Sequence, residues 1–327
     1  MEQTGLRYET QYAHRARPGK ANKQSYIRKL IRDVRHNPYL YLLALPGMVF
    51  FLFFKYVPMW GVIIAFQDYS PFAGISGSSW VGLEHFRTFF ATPDFGTLLR
   101  NTLAINLLNL LFFFPLPLLL AIMLNELQSM IYKRLVQTVL YLPHFLSWVI
   151  IASLTFTLFA KGEGLVNHLL EAMGRERIGF LTNPDFFWVI VTLQSMWKEA
   201  GWGTIVFLAA IAGIDPQIYE AARMDGAGRL RQIWHVTLPA LRGVVVILLI
   251  LRLGDIMDVG FEQIFLMYNG AVSQVAEVFD TYVYRTGIQR GQFSYSTAVG
   301  LFKSLIGLIL VLISNHIAKR LGQGGIY

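Results

Sequence analysis

Six apolar stretches, each near or above the ~20 residues that carry a helix across a bilayer, divide the chain. They fall at about 39–66, 98–124, 136–160, 186–212, 243–268 and 295–318, and predict an all-α integral membrane protein with six transmembrane helices. Lys55 and Pro58 interrupt the first stretch, so it is expected to kink or emerge early. Pro115 and Pro117 in the second predict a kink that neighbouring helices accommodate. Ahead of these stretches lies a polar, basic leader, residues 1–37, whose first part is expected to be disordered. Its segment Tyr26–Arg35 is compatible with a short basic helix lying on the membrane surface. Residues 38–320 read as a single membrane domain, followed by a flexible tail at 321–327.

Composition sharpens this picture. Of 327 residues, 54% are hydrophobic and 15% charged, too little charge for a soluble domain of this length. The formal charge of +8 is then an orientation signal rather than a nucleic-acid footprint. Basic residues concentrate in the leader, at Lys133 and Arg134, at Arg223, Arg229, Arg231 and Arg242, and at Lys319 and Arg320. Fewer flank the opposite ends of the spans, so both termini and the polar loop 213–242 are expected in the cytoplasm. The run behind the leader is too long for a signal-peptide core and predicts an uncleaved span. No cysteine is present, which removes disulfides, thiolate metal sites and cysteine nucleophiles. Aromatics in the loops expected outside (Trp80, Phe86, Phe89, Phe90, Phe95, Phe180, Phe186, Phe187, Phe293, Tyr295) fit an interfacial belt or a platform for an external partner.

The loop between the fourth and fifth stretches carries the strongest local code. Asp215-Pro216 is a helix start, a capping carboxylate followed by proline where its missing N–H costs nothing. Asp225-Gly226 is a stop, because glycine accepts the left-handed conformation past a helix end. A second short helix is expected from Arg229 to Val236, ended by Leu238-Pro239. Two such helices make either a plug for a soluble partner's groove or an amphipathic loop lying on headgroups, and spacing alone does not choose.

Glu220-Ala221-Ala222, Asp225-Gly226-Ala227, Ile233 and Leu238-Pro239 together resemble the EAA signature of ABC-importer permeases. Leu45-Pro46-Gly47, Pro58-Met59-Trp60-Gly61, the run Val81–Phe86 and the segment from Leu253-Gly254-Asp255 to Tyr268-Asn269 look like its carbohydrate branch. The resemblance implies the type I importer permease fold, with cytoplasmic coupling helices between spans four and five, in a bacterial cytoplasmic (inner) membrane. It further implies a second homologous permease subunit, two ATPase subunits holding ATP and Mg, and an extracytoplasmic sugar-binding protein. Glu220, Ala221, Ala222, Asp225, Gly226 and Ala227 would then carry coupling to the ATPase. The chain itself would be a transport subunit, not an enzyme, and would hold no cofactor.

Ionisable groups within the spans are costly, about 2.5–3.5 kcal/mol each at a helix centre, and so face protein or a wet cavity. Trp197, Lys198, Glu199 and Trp202 cluster in the fourth stretch, and Arg252, Asp255, Asp258 and Glu262 fall broadly along one side of the fifth. Arg252 with Asp255 fits a local ion pair, with Lys198 and Lys303 paired elsewhere. Trp197, Trp202, Asp258, Glu262, Gln263, Tyr268 and Asn269 are the candidates for a carbohydrate path, with indoles for sugar faces and carboxylates and amides for hydroxyls. Lys55 reads as a snorkelling side chain. No G-x-x-x-x-G-K-[ST] loop, H-E-x-x-H or G-x-S-x-G occurs, which predicts no nucleotide, metal or acyl-transfer site on this chain. His85, His144, His168 and His316 stand alone and read as interface residues. Two other readings stay open: an ion-gradient-driven secondary sugar transporter with Asp255, Asp258 and Glu262 as relay, and a membrane-embedded glycan-processing enzyme built on Asp258 and Glu262.

Overall fold

The computed structural model describes residues 32–320 and Gly322; the leader up to residue 31 and the rest of the tail lie outside it. The described residues divide after Gly61 into two units. In the first, the helix Pro38–Phe51 leads into a π-helical turn, Leu52–Tyr56, with Phe50 stacked on Phe54. The second is almost entirely helical, apart from a two-residue antiparallel hairpin pairing Gln67 with Trp80 and Asp68 with Ser79.

Among the described residues four helices are long and apolar enough to cross a membrane: Pro38–Phe66, Asp94–Asn125, Arg229–Gly254 and Phe293–Arg320. Two further pairs qualify only if each is counted as one broken span: Met130–Phe145 with Trp148–Phe159, bent by 101°, and Pro184–Ala212 with Pro216–Met224, bent by 70°. The prolines do not end their helices, although the sequence leads one to expect an end at Leu238-Pro239 and kinks at the others. Each of Pro58, Pro115 and Pro239 follows a π-helical turn, at Leu52–Tyr56, Asn109–Phe113 and Ile233–Thr237. A proline ring collides with the carbonyl four residues back and supplies no N–H. The widened turn absorbs both defects, the residue before each proline bonding five back instead: Val57 to Leu52, Phe114 to Asn109, Leu238 to Ile233. Leu238-Pro239 therefore does not break the chain, and the expected short helix at Arg229–Val236 runs on to Gly254.

The fifth stretch departs furthest from expectation. Its helix stops at Gly254, the chain turns through Asp255–Gly260, and a new helix runs Phe261–Met267. Asp258 Oδ1 accepts from the Gly260 N–H at 3.2 Å, and Gly260 takes φ +91°, which only glycine adopts freely. Arg252, Asp255, Asp258 and Glu262 thus do not share one helical face. Nor does Arg252 close an ion pair with Asp255; its guanidinium lies 5.7 Å from the Phe113 ring centroid.

The core of the second unit is organised around Pro184–Ala212, 29 residues long and capped by Asn183, whose side chain accepts from the Asp185 N–H. One cluster packs Ile190 and Val191 against Ile264, Val272 and Val278. Another joins Phe89, Leu98, Phe279 and Val299, with Phe95 and Phe302 half-buried around it. Phe89, read from sequence as interfacial, is fully buried in edge-on contact with Phe95, Phe279 and Phe302. Trp80 and Phe90 stay exposed. The helices Arg229–Gly254 and Phe293–Arg320 cross closely: a Cβ on Gly307 would lie 2.5 Å from the Gly254 carbonyl oxygen. In the loop beyond Phe159, Arg177 hydrogen-bonds Glu171 and holds that carboxyl below its usual range.

Candidate functional site

Two regions gather the residues singled out from sequence. The first is the polar segment after Ala212. Asp215 Oδ1 accepts from the Gln217 N–H at 2.9 Å, Pro216 opens the helix, and Gly226 closes it at φ +75°. The Gly226 N–H reaches the Arg223 carbonyl at 3.0 Å and the Ala227 N–H the Ala222 carbonyl at 2.9 Å, the paired bonds of a Schellman motif. Glu220, Ala221, Asp225 and Gly226 are exposed, while Ala222 and Ala227 are half-buried. Tyr219 OH lies 2.9 Å from Thr237 Oγ1, and Gln232 Nε2 donates to the Ala227 carbonyl at 2.7 Å, so the short helix is tied to the start of Arg229–Gly254. Beside Glu220 opens a cavity of about 770 Å³ that reaches Glu126, which pairs with Arg229 at 3.8 Å. Ile218, Met224, Leu230 and Trp234 are large, apolar and at least half exposed in this segment. Sequence reading did not single out Met224, Leu230 or Trp234, although helical spacing places Leu230 and Trp234 on one face.

The second region lies where two helices break beside the unbroken Pro184–Ala212. Met130–Phe145 and Trp148–Phe159 meet at an elbow, Leu146-Ser147, with Ser147 Oγ capping the second helix. Lys198, 6% exposed, reaches into this elbow and donates to the carbonyls of His144 at 2.7 Å and Leu146 at 2.6 Å. Its ammonium also lies 5.5 Å from the Trp148 ring centroid and 3.6 Å from Glu199. His144 is not isolated: Nδ1 pairs with Glu199 at 2.7 Å, and its ring stacks on Trp202 at 4.7 Å and 8°. Trp197 and Trp202 are both half exposed, Trp197 at the edge of an apolar cavity of about 490 Å³ whose polar lining includes Thr155 and Gln194.

The Asp255–Gly260 break, whose following helix Phe261–Met267 packs on Trp148–Phe159, is fastened to the last helix. Lys303 pairs with Asp280 and stands 3.4 Å from Asp258, while Asp280 accepts from the Val259 N–H. Asp258 and Glu262 are exposed. Gln263 is buried, donating to the Val191 carbonyl at 2.7 Å and to Gln194 at 3.0 Å, and accepting from Ser195 at 3.2 Å. Asn269 is likewise occupied, donating to the Leu181 carbonyl and capping the turn at Ala271. Tyr268 is half-buried, its hydroxyl accepting from Arg285, which pairs with Glu277. The sequence candidates therefore divide. Trp197 with Trp202 on one helix and Asp258 with Glu262 at the Asp255–Gly260 break present free surface, whereas Gln263 and Asn269 spend their amides inside the protein.

Long apolar helices, two of them broken beside an unbroken third, are those of a multi-pass membrane protein. Residues 113–323 match the family described as the binding-protein-dependent transport system inner membrane component, and the chain belongs to that family. It is 55% identical over 305 residues to the polygalacturonan/rhamnogalacturonan transport system permease protein YteP of Bacillus subtilis (strain 168), covering 93% of this chain and 95% of that one. It is 53% identical over 294 residues to Protein LplB of the same organism, covering 90% and 92%. Among solved structures it is similar to a chain of a bacterial alginate ABC transporter crystallised in complex with an alginate pentasaccharide-bound periplasmic protein. The TM-score is 0.83 at 41% identity, covering 91% of this chain and all of that one.

Proposed function

We propose that the chain is the transmembrane permease subunit of an ATP-driven ABC importer for oligosaccharides or polysaccharide fragments. The pair broken at Leu146-Ser147 then counts as one span and Pro184–Ala212 as another, with Pro216–Met224 outside the bilayer, giving six spans of the type I fold with both termini in the cytoplasm. The observation that carries the reading is the capped helix Pro216–Met224, whose exposed Glu220 and Ala221 stand among bare Ile218, Met224, Leu230 and Trp234. Exposed apolar residues grouped around a charged helix are what a partner's groove covers.

In this reading ATP and Mg bind two separate ATPase subunits, whose closure carries the Glu220–Ala227 segment. Tyr219, just before the segment, ties it to Thr237, and Arg229, just after it, pairs with Glu126 at the end of Asp94–Asn125, so the movement passes to the long helices. A second homologous permease faces this one, and an extracytoplasmic sugar-binding protein delivers the glycan. Trp197, Trp202, Asp258, Glu262 and Tyr268 line the path, and Gln263 and Asn269 hold its frame. The names of the relatives support carbohydrate as the cargo. The open face of Trp197 and the face of Trp202 turned away from His144 suit the apolar side of a pyranose, and the carboxylates of Asp258 and Glu262 suit its hydroxyls.

The test is uptake of labelled trigalacturonate into vesicles holding the assembled complex. ATP-dependent uptake that vanadate blocks and Glu220→Lys abolishes is the expected result. Uptake that survives Glu220→Lys and vanadate but collapses with an ionophore would overturn it in favour of a gradient-driven carrier.

A further inference from the structure

Lys198 places a long polar side chain in an apolar bundle, yet its Nζ is directed at backbone rather than at a carboxylate alone. The reason lies in the elbow it fills. The turn Leu142–Phe145 ends where the chain swings at Leu146-Ser147, and a helix end leaves carbonyls with no partner in the next turn. In a bilayer no water replaces that partner, so a break at this depth needs a donor from elsewhere. Lys198 supplies it twice, to His144 and Leu146. The next residue on the same helix, Glu199, takes His144 from its ring side, and Trp202 covers the ring face. His144 is thereby held at its carbonyl, its Nδ1 and its plane by three side chains of one unbroken helix.

We infer that Lys198 is a positioning residue: by bridging the elbow carbonyls it fixes the half-exposed ledge of His144, Glu199 and Trp202 for glycan binding. The inference rests on the proposed transport path and adds to it two polar residues, His144 and Glu199, and the group that orients them. Lys198 itself is too buried to touch a glycan. A bridge of this kind acts on how well the ledge is preorganised, and so on binding rather than on the driven step.

The experiment uses the assembled complex in vesicles with labelled trigalacturonate, together with backbone hydrogen exchange of the solubilised chain. Lys198→Met removes both donors and is expected to raise the half-saturating concentration about tenfold, the worth of roughly one hydrogen bond, with the maximal rate within about twofold. Lys198→Gln keeps amide donors on a side chain one bond shorter and is expected to raise it about threefold, while Lys198→Arg stays near wild type. Amides at 146–151 should exchange faster in Lys198→Gln than in wild type. Half-saturation unchanged in Lys198→Gln, or a fall confined to the maximal rate, overturns the positioning role, as does unaltered exchange at the elbow. Wild-type vesicles that take up no trigalacturonate would instead count against the transport reading. The exchange comparison then still decides whether Lys198 holds the elbow.

Discussion

Replacing Gly307 by alanine tests the helix crossing on which the C-terminal half of the bundle depends. The added Cβ would lie 2.5 Å from the Gly254 carbonyl oxygen, whereas a carbon and a carbonyl oxygen rest at about 3.3 Å or more, so the backbones must part by ~0.8 Å. Both neighbours are main chain, and no rotamer change relieves the overlap. Overpacking of this kind costs about 1–3 kcal/mol, and a contact between two backbones belongs in the upper half of that range. Against it stands the helix propensity gained on replacing glycine, about 0.8–1 kcal/mol. The expected net loss is about 1–2 kcal/mol. Gly300→Ala on the same helix is the control, because a Cβ there meets nothing within 4 Å. It should be neutral or stabilising by up to about 1 kcal/mol. Unfolding of the isolated chain in bicelles by detergent titration measures both. Should Gly307→Ala prove as stable as Gly300→Ala, the close crossing is wrong.

Other consequences are equally direct. Lys303→Met strands the half-buried Asp280 carboxylate and should destabilise the chain by about 3 kcal/mol, whereas the double change Lys303→Met with Asp280→Asn should recover most of that loss; a fully additive double mutant would refute the pairing. Asn101, with no exposed surface, donates to the carbonyls of Gln274 and Glu277 at 3.0 and 2.9 Å. Because Arg100 also donates to the Gln274 carbonyl at 2.7 Å, Asn101→Leu strands chiefly the Glu277 carbonyl and should cost about 1–3 kcal/mol in the same titration; a neutral result would show that this carbonyl finds another donor.

What the sequence reveals here is local code and mean apolarity. Asp215, Pro216 and Gly226 each act within a few residues of themselves, so the start and stop of their helix can be read without any knowledge of the fold. Long apolar runs report that helices exist. They do not report the elbow at Leu146-Ser147, because its donor, Lys198, lies 52 and 54 residues from the carbonyls it serves. The break after Gly254 is hidden for the same reason: Asp258 looks like a span charge until Lys303 on another helix, paired with Asp280, reaches it. His144 reads as isolated because Glu199 and Trp202 reach it only in space. Phe89 reads as interfacial because its run resembles a belt, while its neighbours Phe279 and Phe302 come from the far end of the chain.

The repeated pairing of a π-helical turn with a proline just beyond it gives three long helices a particular mechanical character. At each such point one rung of the hydrogen-bond ladder is missing and the next is stretched to a looser spacing, so bending there sacrifices no bond that was formed. A helix built this way has the weakest point of its hydrogen-bond ladder at a chosen residue. Where Pro239 sits, two residues past Thr237 and its tie to Tyr219, a tug on the polar loop meets a compliant joint before it meets the rigid rod. Filling that joint, by Pro239→Ala together with removal of one residue from the turn, would turn the spring into a strut.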